Sequence, residues 1–210
     1  QELDFAFALD HDGVMTLKDL NAGFSDPKTI SMAYFEASQV VAHIHETYGQ
    51  EKLRTLVEAY ARGVDTDAAL KAALGITMED LQRGFDAYVA KEFGALRAAM
   101  KTPEALAKAT TLDALKALAD QHPGSFPVLM RLGEAYEKAG DTASALTTYE
   151  RAAALAPPAT GKTSPNVKIG TLAVAARQPE RALAALDALA QVDANDIESA
   201  RARAGLVAAK

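Results

Sequence analysis

A chain of 210 residues is long enough for one large or two small domains, and a hydrophobic content of 49% supplies a core and excludes a disordered chain. Alanine is abundant and aromatics are only 6%, a balance that favours packed helices over a β-sandwich. A net charge of −6 with no basic block argues against nucleic acid as partner, and the lack of cysteine excludes disulfides, thiolate metal sites and cysteine nucleophiles.

A cysteine-free sequence suits periplasm and cytoplasm alike. No apolar run approaches the roughly 18 residues needed to span a membrane, and no signal peptide is apparent. The opening on "QELDFAFALDHDG" and the stop within "ARARAGLVAAK" read as cuts through a longer protein.

Residues 1–28 read as a lead-in. "DHDG" (10–13) and "DPK" (26–28) are turn signals, and between them "LKDLNAGF" is a short helical turn with Leu17, Leu20 and Phe24 on one side. "DHDG" also looks like part of a calcium loop, but the first acidic ligand would fall on Ala8 and the closing glutamate on Asp19, so it is read as a turn. From Thr29 the apolar residues Ile30, Tyr34, Ala37, Val41, Ile44 and Tyr48 recur at helical spacing, with Gly49 as a left-handed stop. A second helix places Leu53, Leu56, Val57 and Tyr60 inward and ends at Gly63. "DTDAALKAALG" (65–75) is a short helix capped by Asp65 or Thr66. "TMEDLQRGFDAYVAKEF" (77–93) opens with Thr77 and Asp80 at capping-box spacing and buries Leu81, Phe85, Tyr88 and Val89. Four helices on tight glycine-ended turns predict a compact α bundle.

Within the first of these helices, "HIHETYG" (43–49) invites comparison with a zinc helix. Two histidines reach one metal when they lie four apart on a helix, as in His-Glu-x-x-His. His45 and Glu46 begin that pattern, but its last position is Gly49. His43 and His45 are two apart, so they point to opposite sides of the helix. No metal site is expected within this chain.

The stretch "YFEASQVVAHIHETYGQEKLRTLVEAYARGVDTDAALKAALGITMEDLQRGFDAYV" (34–89) resembles the C-terminal helical part of gluzincin peptidases, the peptidase MA-like group. In that family the tyrosine heading this helix donates a hydrogen bond to the oxyanion of the tetrahedral intermediate. The resemblance places that role on Tyr34, although Phe35-Glu36-Ala37-Ser38 replaces the aminopeptidase Tyr-Glu-Lys-Gly. Read from its helical spacing alone, Tyr34 is a buried core residue. The resemblance also implies zinc, but only where ligands come from an upstream domain.

From about residue 97 the sequence becomes rich in alanine and leucine and repeats itself. "FPVLMRLGEAYEKAGDTASALTTYERAAALAP" (126–157) resembles a tetratricopeptide repeat, carried by Leu129, Leu132, Gly133, Tyr136, Ala145, Tyr149, Ala152 and Pro157, with Leu129 in place of the usual tryptophan. Small Gly133 and Ala145 let the two helices of the repeat touch. Tyr136 and Tyr149 fill the space between repeats, and Pro157 stops the second helix. A weaker copy spans 163–196, with Ile169-Gly170, Ala182 and Leu186. Its period is lengthened to 37 residues by the loop "PATGKTSP" (158–165). "LDALKALADQHPGS" (112–125) reads as the second helix of an earlier repeat, and residues 196–208 as the first helix of a later one. "GKT" (161–163) lacks the earlier glycine of a phosphate loop, comes after a helix rather than a strand and is followed by Pro165, so it reads as an inter-repeat connection.

These readings predict an all-α chain. Residues 1–96 form a helical bundle resembling part of a peptidase MA-like domain, and residues 97–210 form a short α-solenoid of tetratricopeptide-type hairpins. The expected function is a protein-interaction scaffold without catalysis of its own and without a cofactor, binding a protein or peptide. Met130, Glu134 and Glu137 are candidates for the partner groove; with Met130 and Glu134 there, the groove cannot clamp a C-terminal carboxylate. The rival is a part of a zinc metallopeptidase whose metal ligands lie upstream.

Overall fold

The computed structural model describes residues 1–9 and 13–208; the turn expected at residues 10–13 lies, apart from Gly13, outside the described residues. Among the described residues every regular element is helical. The chain separates into two compact units, Gln1–Ala95 and Leu96–Lys210.

The first unit contains α1 (Glu2–Leu9), α2 (Leu20–Gly23), α3 (Ile30–Tyr48), α4 (Gln50–Ala61), α5 (Thr66–Ala73) and most of α6 (Met78–Met100). Its helix starts follow from side-chain chemistry. Asp65 accepts a hydrogen bond from the Ala68 amide at 2.9 Å and caps α5. Thr77 and Asp80 form a reciprocal box: the Thr77 hydroxyl accepts from the Asp80 amide at 3.1 Å, and the Asp80 carboxylate accepts from the Thr77 amide at 3.1 Å. Aspartate thus closes the box in place of the longer Glu or Gln. Gly63 and Gly75 take φ +76°, whereas Gly49 combines φ +84° with an extended ψ of 164°. Gly49 is therefore a break between α3 and α4 rather than a left-handed helical cap.

Two apolar clusters hold this unit. Ile44, Leu56, Leu70 and Leu81 centre one, and Phe5, Phe85, Val89 and Phe93 the other. In the second, Phe5 stacks edge-on to Phe93 with ring centroids 5.0 Å apart. Three expectations are corrected here. The lead-in begins with a helix, α1, which buries Phe5, Ala6 and Ala8. The inward stripe of α3 does not run through Ile30, Tyr34 and Val41, which are exposed; the buried residues are Ala33, Glu36, His43 and Ile44. Val57 and Tyr60 of α4 likewise face outward, while Leu56 and Ala59 are buried.

The second unit starts with a 3-10 turn (Glu104–Ala107) and continues with α7 (Leu112–Gln121), α8 (Phe126–Ala139), α9 (Thr142–Leu155), α10 (Pro165–Ala175), α11 (Pro179–Val192) and α12 (Ile197–Ala208). Helices α8 and α9 form one hairpin and α10 and α11 the next, each packed on its neighbour in sequence. Gly140 makes the tight turn of the first hairpin in the left-handed conformation, with φ +76°. Helix α9 ends at Leu155, two residues before Pro157, which is exposed.

Gly133 and Tyr149 set the spacing of that hairpin. A Cβ at position 133 would lie 2.5 Å from a ring carbon of Tyr149. The glycine therefore makes room for the tyrosine ring rather than for Ala145, the partner expected from its size. The next hairpin repeats the device with Gly170 and Leu186, where a Cβ would lie 3.1 Å from the leucine. Helix α7 is capped by Thr111, whose hydroxyl accepts from the Ala114 amide at 3.2 Å. Thr111→Ala is expected to cost about 1 kcal/mol in urea unfolding, and Thr111→Ser to restore most of it; equal stability of all three proteins would contradict the cap.

Candidate functional site

The first helices of successive repeats, α8, α10 and α12, supply the face on which the groove residues were expected. Met130 on α8 is half-buried and packs against both apolar clusters of the second unit. Glu137, also on α8, is bound internally. It accepts the Tyr149 hydroxyl at 2.6 Å and pairs with Lys168 of α10 at 3.2 Å. Tyr149 is completely buried, and burial, then the bond to Glu137, push its phenol far above the usual range. The Lys168 ammonium also lies 6.0 Å from the Tyr149 ring centroid. These three side chains tie one repeat to the next. All three groove candidates are partly exposed, and Glu134 makes neither a hydrogen bond nor an ion pair among the described residues.

A hollow of about 540 Å³ opens further along the same unit, lined by Val167, Thr171 and Val174 of α10, Leu186 of α11, and Ile197 and Ala202 of α12. Val174 and Ile197 are 48% and 64% exposed, so its walls are apolar and open to solvent. Lys162 and Glu198 stand at its rim. Asp196, also on the rim, caps α12: it accepts from the Ser199 amide at 3.1 Å, and that bond holds its carboxyl below the usual range. The sequence signal for this hollow was the weaker repeat, whose period locates α10 but does not say that α12 leaves a gap beside it.

On α3, Tyr34 is 64% exposed and meets Phe24 edge-on, with ring centroids 4.9 Å apart. The spacing-based expectation of a core tyrosine is thus corrected, because α3 turns its Ala33 and Glu36 face inward instead. Two turns of helix beyond Glu36 on the same face, His43 is buried among Tyr48, Phe85 and Tyr88, with its Nδ1 3.2 Å from the Thr47 hydroxyl. Burial lowers the His43 pKa and the nearby Glu46 partly opposes this. His45 and Glu46 lie on the exposed side.

These residues do not fit a zinc ion. His43 Nε2 has no hydrogen-bond partner, but it abuts Gly84, where a Cβ would come within 2.9 Å. Among the described residues no group of three or more His, Asp or Glu could hold a metal ion. Among those residues, too, no helix is long and apolar enough to cross a membrane.

Two family models match. The Peptidase MA superfamily matches residues 2–91, and the tetratricopeptide repeat matches residues 126–159. No curated protein and no solved structure matches the chain.

Proposed function

We propose that this chain, a Peptidase MA superfamily segment followed by a tetratricopeptide repeat, acts as a protein-interaction scaffold whose partner binds between α10 and α12. The observation that supports this reading is the open apolar hollow bounded by Val174 and Ile197. The matching positions of the preceding repeat are occupied by internal packing at Met130 and by the Tyr149–Glu137–Lys168 link. Peptide display on the purified chain should yield binders. Val174→Asp, a change on an exposed wall, should weaken them roughly tenfold or more without loss of helical signal. Selected peptides indifferent to Val174→Asp would sink this site. Stoichiometric zinc and peptide cleavage by the same chain would sink the non-catalytic reading.

A second reading is favoured by Tyr34, whose exposed hydroxyl makes no hydrogen bond among the described residues. In a longer form of the protein carrying a His-Glu-x-x-His helix, Tyr34 would donate to the oxyanion of a peptide-bond hydrolysis. Tyr34→Phe would then lower kcat by roughly 10²–10³ with little change in KM. An unchanged kcat would leave Tyr34 without that role.

A further inference from the structure

The first unit carries an apolar groove of its own, separate from the repeats. It has a volume of about 630 Å³ and a floor of Ile44, Leu56 and Leu70, all buried. Along its walls Val41, Val57 and Tyr60 are 49%, 59% and 44% exposed. These three are the residues whose helical spacing predicted a core face. Helices α3 and α4 thus present the apolar stripe of an inward surface with nothing packed over it among the described residues. Singly exposed apolar side chains are ordinary, but several converging on one groove mark an interaction site.

The charge at the rim narrows the partner. Asp67 and Glu79 line the groove with no hydrogen bond or ion pair among the described residues, and Asp65 is engaged only in capping α5. Among the described residues of the lining, Lys18 is the one basic side chain. The imbalance extends through the unit. Gln1–Ala95 holds eight Lys and Arg against sixteen Asp and Glu, so it carries a formal charge of −8, while the rest of the chain carries +2. Such a field draws cationic partners and repels nucleic acid and anionic lipid.

We infer that the α3–α4 groove docks a basic amphipathic helix of a partner protein, with apolar side chains on Val41, Val57 and Tyr60 and Lys or Arg facing Asp67 and Glu79. A peptide laid into a groove between helices uses this mode of recognition, with anchors one turn apart. The apolar walls supply the contact, and the rim supplies orientation and faster encounter.

The test uses the full 210-residue chain and two synthetic peptides of about 15 residues, long enough to form a helix on binding. Both carry leucine at i, i+3, i+4 and i+7. One has lysine at the other positions and its twin has glutamate. The lysine peptide is expected to bind by fluorescence anisotropy, more weakly at high salt, and to shift amide resonances of α3, α4 and α5. Asp67→Asn with Glu79→Gln should weaken it roughly tenfold, and Val57→Asp should do so more severely. All three positions are exposed, so the helical signal should stay intact. Val174→Asp, in the repeat hollow, should leave this affinity unchanged, which separates the result from the fate of the scaffold reading. Equal binding of the glutamate twin, shifts confined to α10–α12, or loss of binding on Val174→Asp would each overturn the inference. So would a concentration-dependent dimer that Val57→Asp abolishes, because the groove would then hold a second copy of this chain.

Discussion

Replacing Tyr149 by alanine is expected to remove about 3–5 kcal/mol from the stability of the repeat unit. The ring is completely buried, and its cluster joins Ala145 and Leu146 of its own hairpin to Ile169 and Ala173 of the next. The loss would therefore strike both the hairpin and its stacking on the following repeat. Tyr149→Phe separates packing from hydrogen bonding. It keeps the ring and breaks only the 2.6 Å bond to Glu137, which retains Lys168 as a partner, so about 1–2 kcal/mol should be lost. Gly133→Ala approaches the same contact from the other side. Its methyl would meet ring carbons at 2.5 and 2.8 Å, a clash worth about 1–3 kcal/mol. The following hairpin shows the remedy, since Gly170 faces the smaller Leu186. In a Tyr149→Leu background, Gly133→Ala should cost much less than in the wild type. Urea unfolding of the four proteins gives this coupling directly. Strict additivity would mean that the glycine is not there to admit the ring.

The repeat was the most legible part of the sequence, because its residues constrain one another. A small residue, an aromatic and a proline at fixed spacing leave few other arrangements, and α8 and α9 form accordingly. What it concealed was the pairing: Gly133 was matched by size to Ala145, yet it faces the tyrosine sixteen residues on. One groove candidate conceals a partner in the same way. Glu137 looks like a free surface charge until Lys168, on another helix, comes within 3.2 Å. The α3 helix misled more deeply. Hydrophobic spacing assumes that the apolar side faces in, whereas α3 buries Glu36 and His43 and exposes Tyr34 and Val41. Residues distant in sequence decide this: Phe5 and Phe93 pack on Phe35, and Phe85 and Tyr88 on His43. Helix α1 went unread because "ELDFAFAL" is apolar on several sides and offers no stripe.

Glu36 turns that buried face of α3 into a pH dependence. Its side chain is fully buried; one carboxylate oxygen accepts from the Met15 amide at 3.2 Å and the other has no partner. Met32 and Val40, one turn to either side, pack in the aromatic cluster of the first unit. Burial raises the Glu36 pKa from 4.5 to about 7, against the lowering effect of the Met15 bond. Between those two values the folded protein holds a proton that the unfolded chain has released, so stability falls as pH rises through the window. Glu36→Gln keeps an oxygen for the Met15 amide but cannot ionise. The variant should match the wild type near pH 4.5 and exceed it by about 3 kcal/mol at pH 8. His43 acts in the opposite sense. Its lowered pKa makes its contribution complete above 6.5 and lost as pH falls below that value. Since both proteins retain His43, it cancels in the difference between them, and the gap reports Glu36 alone. Urea midpoints at pH 4.5, 6 and 8 measure that gap. A constant gap would show that the carboxyl ionises as readily in the folded protein as in the unfolded chain, so that burial does not raise its pKa.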